Sequence, residues 1–172
     1  MAGAYPGSLD GRESVAALSS LVRKGVRAFV DLTEEQEVTR LGPLRWYAKD
    51  LETVAATAVA PVSYARFPIR DLGVPSPGLM SSILDALDAA LGVGKPAYVH
   101  CLGGRGRTGT VVGCYLVRHA ERLLGTTGGD DAGPLALVRV VELRVAQGVP
   151  LAESSPEMEA QREFVLRWRP GM

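Results

Sequence analysis

Residues 95–124, KPAYVHCLGGRGRTGTVVGCYLVRHAERLL, decide how this chain folds. The first seven of them are mostly apolar and include aromatic and β-branched side chains, which is typical of a buried strand. A glycine-rich loop follows over 102–109, and an apolar run with helical spacing then extends to Leu124, just before Gly125. The stretch therefore predicts a strand, a loop and a helix in succession.

The rest of the chain alternates between strand and helix patterns. Strands are predicted over 26–32 and 63–69, where β-branched and aromatic residues are frequent. Helical patterns occupy the segments between and after these strands: two short helices between Thr33 and Ala60 broken by Gly42-Pro43, then 79–91, 135–147, and a last helix that starts near 154–156. This alternation predicts an α/β fold: a single domain over residues 1–172, with a mainly parallel central sheet flanked by helices.

Composition limits the class of protein. Hydrophobic residues make up 47% and charged residues 22% of the chain, and the formal net charge is 0. A neutral chain has no net field that attracts nucleic acid. The sequence also contains no run of about 18 apolar residues, the length that would predict a membrane-spanning helix. Two cysteines, Cys101 and Cys114, cannot form a disulfide framework, and a useful thiol needs a reducing compartment. We therefore expect a cytoplasmic monomer that binds no nucleic acid.

The loop between the predicted strand and helix carries the residues expected to do chemistry. Glycines at 103, 104, 106 and 109 let the backbone approach a ligand closely. Successive N–H groups of such a loop form an anion-binding nest, and the following helix adds the positive end of its dipole. Arg107 supplies a planar fork for two phosphate oxygens, and the same positive surroundings stabilise a thiolate at Cys101. The loop is thus predicted to bind phosphate beside a nucleophilic cysteine.

His100-Cys101, five intervening residues and Arg107-Thr108-Gly109 match the signature HCxxxxxR[ST]G, so the chain resembles the protein tyrosine phosphatase superfamily. The resemblance implies that Cys101 is the nucleophile that forms a phosphocysteine and that the Thr108 hydroxyl steadies the thiolate as a leaving group. It also implies that His100 orients the loop beneath Cys101. The groups implied to bind phosphate are the Arg107 side chain and the backbone amides of Leu102, Gly103, Gly104, Arg105, Gly106 and Arg107.

Members of this superfamily also use an acid to protonate the leaving oxygen, since an alkoxide or phenoxide leaves poorly. Asp71 lies 30 positions before Cys101, and the pattern PIxDxGxP around it resembles the acid loop of the small dual-specificity phosphatases. The pair Gly103-Gly104 resembles the kinase-associated phosphatase branch of that group. Asp85 and Asp88 are poorer candidates for the acid, because they fall on the solvated face of a predicted helix.

A glutamine near the C-terminus is a further candidate. Residues 155–165, SPEMEAQREFV, resemble the segment that in several tyrosine phosphatases brings in a glutamine to place the water that hydrolyses phosphocysteine. Helical spacing puts Gln161 on the same face as Met158, Val165 and Trp168, which is the apolar face. The alternative is a buried glutamine whose amide is satisfied by the backbone.

Three other functions fit parts of the pattern. Gly104, Gly106 and Gly109 match GxGxxG, with an aspartate at 130 or 131, so a dinucleotide-binding site is formally allowed. That function would leave Cys101 and Arg107 without a role. A rhodanese-like sulfurtransferase also uses a cysteine loop, but neither a sulfurtransferase nor a simple phosphate-binding module needs the acid.

The sequence therefore predicts a cysteine-dependent phosphatase that needs no metal or other cofactor, since the nucleophile, the anion cradle and the acid are all protein groups. We expect phosphoprotein substrates that carry phosphotyrosine, and also phosphoserine or phosphothreonine, because Leu102 is apolar and no segment clearly deepens the pocket for phosphotyrosine alone. Arg105 is the basic loop residue that leaves phosphoinositide activity open as the alternative.

Overall fold

A computed structural model describes residues 1–40, 46–169 and 171 of the chain. At its centre lies a four-stranded sheet in the order β1-β4-β2-β3, in which every pairing is parallel. The strands are β1 (Ala2–Gly3), β2 (Ala28–Asp31), β3 (Ser63–Arg66) and β4 (Ala97–His100). The prediction of an α/β fold with a parallel central sheet is confirmed.

Helices surround this sheet. They are α1 (Gly11–Arg23), α2 (Glu35–Arg40), α3 (Ala48–Ala55), α4 (Pro77–Gly92), α5 (Gly106–Arg118), α6 (Ala120–Leu124), α7 (Ala132–Val145) and α8 (Glu159–Arg167), with a short 3-10 helix at Gly129–Asp131. The predicted break at Gly42-Pro43 lies outside the described residues. Within the described ranges, no helix combines the length and the apolar character needed to cross a bilayer.

Four features differ from the sequence-based expectation. The strand β1 has only two residues, too few to show a period-two pattern, and α1 was not predicted although Asp10 caps it through a hydrogen bond to the Arg12 N–H. The single helix expected over 110–124 is divided at His119, whose backbone leaves the helical conformation. The last helix begins at Glu159, later than the start near 154–156 that the sequence predicts.

The two central strands, β2 and β4, are buried on both faces. Alternate residues face opposite sides, so Val30 and Val99 pack with α4, α5, α7 and α8, while Phe29 and Tyr98 pack with α1 and α3. Asp31 pairs in register with His100, and both residues are the last of their strands. Segments that follow β2 and β4 therefore meet at the same edge of the sheet, and this edge carries the candidate site.

Candidate active site

The loop that follows β4 forms the floor of the site. Cys101 leaves the strand with 3% of its surface exposed, and α5 begins at Gly106, so the positive end of this helix faces the loop. Gly104 has a φ of 70°, and a side chain there would come within 2.4 Å of the Gly3 carbonyl carbon. Only glycine fits both the conformation and the space at this position. Strand β1 is thus packed directly against the loop.

Donors from other segments hold three carbonyl groups of this loop. The Tyr5 N–H donates to Leu102 O at 2.9 Å, Arg144 Nη1 donates to Gly104 O at 2.9 Å, and Ser155 Oγ donates to Arg105 O at 2.8 Å. In a planar trans peptide the N–H points opposite to the carbonyl. The N–H groups of residues 103, 105 and 106 therefore point away from these outside donors, as an anion-binding loop requires.

Arg107 is 2% exposed, and three hydrogen bonds to Glu37 and Ile69 hold its guanidinium. Glu37 accepts from Nη1 at 2.6 Å and from Nη2 at 2.5 Å, and the Ile69 carbonyl accepts from Nη1 at 3.0 Å. Burial works to lower the pKa of Arg107, but the hydrogen bonds to Glu37 and the charges of Cys101, Glu37 and Asp71 outweigh it and raise that pKa above its ordinary value. The guanidinium is therefore charged and fixed in orientation.

Glu37 is a site residue that the sequence analysis missed. It lies in the first turn of α2 and is 7% exposed. A buried carboxylate needs a partner, and Glu37 finds it in a residue 70 positions away. Its sequence carried no signal of this role, because acidic residues are common in the first turn of a helix and Glu35 occupies the same turn.

The loop around Asp71, which is the predicted acid loop, lies beside the loop that runs from Cys101 to Arg107, which is called the phosphate loop below. Asp71 Oδ1 forms an ion pair with Arg107 Nη2 at 2.9 Å, and its side chain is half exposed. The Asp71 N–H donates to Glu34 Oε2 at 3.2 Å, and the next residue, Leu72, has a φ of 59°, which is rare for a leucine. The structure thus brings Asp71 to the same small cavity as Cys101 and Arg107. By contrast, Asp85 and Asp88 pair with Arg118.

His100 is fully buried beneath the loop. Its Nδ1 lies 3.2 Å from the Cys101 carbonyl, which can only accept, so Nδ1 carries the hydrogen and Nε2 accepts the hydrogen bond of the Tyr47 hydroxyl at 2.7 Å. Burial lowers the pKa of His100, with the Asp31 carboxylate opposing this effect, and burial raises the pKa of Tyr47 well above its usual range. Both groups are therefore neutral at neutral pH.

Thr108 and Cys114 lie in α5, behind the loop. Thr108 is 2% exposed, and within the described part of the chain its Oγ1 has no hydrogen-bond partner. This hydroxyl therefore has an unused hydrogen-bond donor. Cys114 is fully buried as a free thiol, and burial raises its pKa. It belongs to the hydrophobic core, as does Cys101.

The rim of the site combines charged and apolar groups. Arg105 forms an ion pair with Glu157 at 3.5 Å, Leu102 is half-buried and Gly103 is exposed. Next to the small cavity that Cys101 lines is an open cavity of about 530 Å³, whose lining includes Glu34, Glu35, Gln36, Glu37, Arg66, Pro68 and Asp71. Gln161 is fully buried and lines the small cavity from α8.

The dinucleotide alternative does not fit this geometry. The segment after α5 continues into α6 and a 3-10 helix instead of a second strand. Asp130 lies in that 3-10 helix and pairs with Arg169 at 2.7 Å. An acidic residue that binds a ribose is expected at the end of the next strand, so this aspartate is misplaced for that role.

Known proteins are similar to this chain in sequence. MJECL20 of Methanocaldococcus jannaschii is 28% identical over 123 residues, which is 72% of this chain and 69% of that protein. "Putative tyrosine phosphatase 067L" of Invertebrate iridescent virus 3 is 33% identical over 110 residues, 62% of this chain and 40% of the viral protein. The Arabidopsis thaliana phosphatidylglycerophosphate phosphatase PTPMT1 is 42% identical over 45 residues, 26% of this chain and 13% of that protein. The chain thus spans well under half the length of the last two.

Solved structures share the fold. Tk-PTP in its active form has a TM-score of 0.62 and 25% identity, over 88% of this chain and 82% of that one. PTPMT1 in complex with PI(5)P has a TM-score of 0.59 and 21% identity, over 95% and 88% of the two chains. The family model Tc-R-P, described as "Polymorphic toxin system, DSP-PTPase phosphatase", matches residues 8–121, well over half of the chain. The chain therefore belongs to this phosphatase family, within the dual-specificity group of the protein tyrosine phosphatase superfamily.

Proposed function

We propose that this phosphatase is a cysteine-dependent enzyme that hydrolyses phosphotyrosine, and also phosphoserine and phosphothreonine, in proteins. The observation that carries the proposal is the meeting of Cys101, Arg107 and Asp71 around one cavity at the carboxyl edge of the sheet. A nucleophile, an anion-binding group and an acid are the three functions that phosphomonoester hydrolysis by cysteine requires.

The reaction takes two steps. In the first, the Cys101 thiolate attacks phosphorus, the S–P bond forms as the ester P–O bond breaks, and Asp71 gives its proton to the leaving oxygen. In the second, water attacks phosphorus, its proton passes to the Asp71 carboxylate, and the S–P bond breaks to release inorganic phosphate. The Thr108 hydroxyl donates a hydrogen bond to the sulfur as its negative charge returns, which fits a buried hydroxyl without another partner in the described chain.

The Arg107 guanidinium and the backbone N–H groups of the loop supply the positive charge and the hydrogen-bond donors that bind a negatively charged phosphate. The guanidinium of Arg107 is fixed by Glu37. The carbonyl groups of residues 102, 104 and 105 accept hydrogen bonds from outside the loop, so the N–H groups of residues 103, 105 and 106 point away from those donors. Donors that are oriented before the substrate arrives cost no reorganisation during the reaction. The proposed mechanism uses no metal ion.

The surroundings favour a phosphoprotein over a polyanionic headgroup. The charge of Arg105 is partly compensated by Glu157. Glu34, Glu35 and Asp71 line the open cavity beside the site, so additional phosphate groups on a substrate would meet carboxylates there. A peptide segment with basic residues next to its phosphorylated side chain fits this rim better.

Phosphoinositide or phospholipid hydrolysis is the second candidate function. It is supported by the local similarity to the plant phosphatidylglycerophosphate phosphatase and by the cationic Arg105 at the rim. In this case Arg105 would have to leave Glu157 and contact the headgroup.

The test is kcat/KM on phosphotyrosine and phosphothreonine peptides of matched sequence, on phosphatidylinositol 5-phosphate and on phosphatidylglycerophosphate, each with and without chelator. Wild type, Arg105→Leu and Glu157→Gln are compared, with Cys101→Ser as the inactive control. Peptides should be the best substrates, and chelator should have no effect. If a lipid is best, with Arg105→Leu abolishing that activity alone, the protein-phosphatase proposal is wrong. Turnover by Cys101→Ser would instead refute the cysteine mechanism.

A further inference from the structure

Both ends of the Gln161 amide are engaged in the folded protein. Oε1 accepts a hydrogen bond from the Met158 N–H at 3.1 Å, which closes the first turn of α8. Nε2 donates to the Gly73 carbonyl at 2.9 Å, across 88 positions of sequence. Gly73 lies two residues after Asp71. The side chain therefore ties the C-terminal helix to the loop that carries the proposed acid.

Gln161 also touches the phosphate loop. A side-chain carbon at Gly106 would lie 2.8 Å from Gln161 Oε1 and 3.0 Å from Nε2, so the glutamine amide packs against the bare backbone at the start of α5. Gly106 immediately precedes Arg107. One buried amide thus contacts the acid loop and the phosphate loop together.

Among the described residues, few other hydrogen bonds tie the acid loop to the rest of the fold after Asp71. Arg107 Nη1 holds the Ile69 carbonyl and Glu34 holds the Asp71 N–H, both at or before the acid. After the acid, the Gly73 N–H donates to Arg70 O within the turn itself. Among the hydrogen bonds of the described residues, the bond from Gln161 is the one that ties Gly73 to another part of the fold.

We propose that Gln161 is a positioning residue that holds the Asp71 loop against the phosphate loop, so that the Asp71 carboxyl reaches the leaving oxygen in the first step. This inference rests on the proposed cysteine mechanism. It differs from the role that the resemblance implied, in which the glutamine places the water of the second step. The family match ends at residue 121, so α8 and its glutamine lie beyond it.

The two roles affect different kinetic constants. kcat/KM reports the steps up to the first irreversible one, which is formation of phosphocysteine, whereas kcat also contains its hydrolysis. A misplaced acid slows the first step, and more so when the leaving group is basic. A misplaced water slows only the second step and leaves kcat/KM unchanged.

The experiment measures kcat/KM of Gln161→Met and wild type on aryl and alkyl phosphates that span a range of leaving-group basicity. Methionine keeps the volume but cannot donate to Gly73 O. We expect losses of roughly 10- to 100-fold for phenyl and alkyl phosphates, part of the 10²–10⁴ that a general acid supplies, and little loss for a nitrophenyl phosphate. The matched control is Gln147→Met, an exposed glutamine in the turn after α7, which should behave as wild type.

A double-mutant cycle with Asp71→Asn gives a second readout. If Gln161 acts through Asp71, adding Gln161→Met to Asp71→Asn should lower kcat/KM on phenyl phosphate by less than twofold more, because the acid is already lost. Gln161→Glu, which keeps the shape and places an acceptor against Gly73 O, serves as the test variant if the methionine variant does not fold.

Three results would overturn the inference: unchanged kcat/KM with a burst of one product per enzyme, equal losses for all leaving groups, or full additivity with Asp71→Asn. The first would assign the water-placing role instead. A wild-type protein without turnover, or an active Cys101→Ser variant, would refute the proposed function and is distinguishable from all three.

Discussion

Asp71 Oδ1 lies 2.9 Å from Nη2 of Arg107, the guanidinium that is proposed to bind the phosphate. A phosphate oxygen that binds Nη2 would therefore come next to the Asp71 carboxylate. The negative charges of the phosphate and of the Asp71 carboxylate repel each other when they are this close to the same guanidinium. The carboxylate therefore weakens anion binding, although the same residue provides the acid. The two effects of Asp71 should have opposite signs.

Asp71→Asn should therefore tighten the binding of oxyanions while it slows turnover. An exposed charge contact is worth up to about 1 kcal/mol, so we expect roughly two- to fivefold tighter inhibition by phosphate or vanadate. kcat on phenyl phosphate should fall by about 10²–10⁴. Inhibition constants and steady-state rates measure both, with Asp85→Asn on α4 as the control. Weaker oxyanion binding in Asp71→Asn would contradict the competition.

Glu37→Gln should damage both stability and catalysis. The amide keeps the size but loses the charge that compensates the buried Arg107, so the free energy of unfolding should fall by about 1–3 kcal/mol. kcat/KM should also fall by at least tenfold, because a guanidinium with a neutral partner is held less firmly for the phosphate. Urea denaturation and steady-state kinetics separate the two effects. A destabilised variant with wild-type kcat/KM would limit Glu37 to a structural role.

Arg144→Met should loosen the phosphate loop without removing any group that contacts substrate. Arg144 donates a charge-assisted hydrogen bond to Gly104 O, and its loss lets the peptide between residues 104 and 105 rotate. We expect a similar loss, about tenfold or roughly 1.4 kcal/mol, in phosphate affinity and in kcat/KM. Arg139→Met, on the exposed side of the same helix, is the matched control. Equal phosphate affinity in Arg144→Met and wild type would show that the loop is held by its other contacts.

Local sequence was sufficient to predict the centre of the fold. The strand, glycine loop and helix of 95–124 lie within one stretch, and their periodicity and glycines report the local backbone directly. The loop around Asp71 could also be recognised, since its pattern is short and contiguous, and the structure places it at the same cavity as Cys101. The role of Asp71 as the acid stays a prediction. The structure places both loops at one edge of the sheet, as parallel strands require.

Contacts between distant segments could not be predicted in the same way. Glu37 reaches Arg107 across 70 positions, and Arg144 reaches Gly104 across 40. Nothing in the local pattern of either residue distinguishes it from a solvated charge on a helix. Strand β1 was missed for a related reason, because two residues carry no periodicity and only the pairing with β4 makes them a strand. The supporting contacts of the site depend on tertiary packing, whereas its candidate reactive groups lie in recognisable motifs.

Acid should destabilise the protein through His100 before the carboxylates are protonated. Burial lowers the pKa of His100 in the folded state, whereas the unfolded chain has the ordinary histidine pKa of about 6.5. Above about pH 6.5 His100 is neutral in both states, and the stability that it contributes is complete. Below that pH the unfolded chain binds a proton at His100 before the folded protein does, which favours unfolding. The contribution is lost as the pH falls toward the folded-state value. The slope from this one group is at most about 1.4 kcal/mol per pH unit.

Urea denaturation at pH values from about 5 to 7.5 measures this slope, because most carboxylates stay ionised there. Wild type should lose stability as the pH falls below 6.5. His100→Asn should be less stable at pH 7.5, since its contacts with Tyr47 and the Cys101 carbonyl are changed, but it should lose this pH dependence. His119→Asn replaces the other histidine of the chain, which pairs with Asp88 at the surface, and should keep the slope. A slope that persists in His100→Asn and disappears in His119→Asn would assign the acid sensitivity to His119 and leave the buried His100 without a part in it.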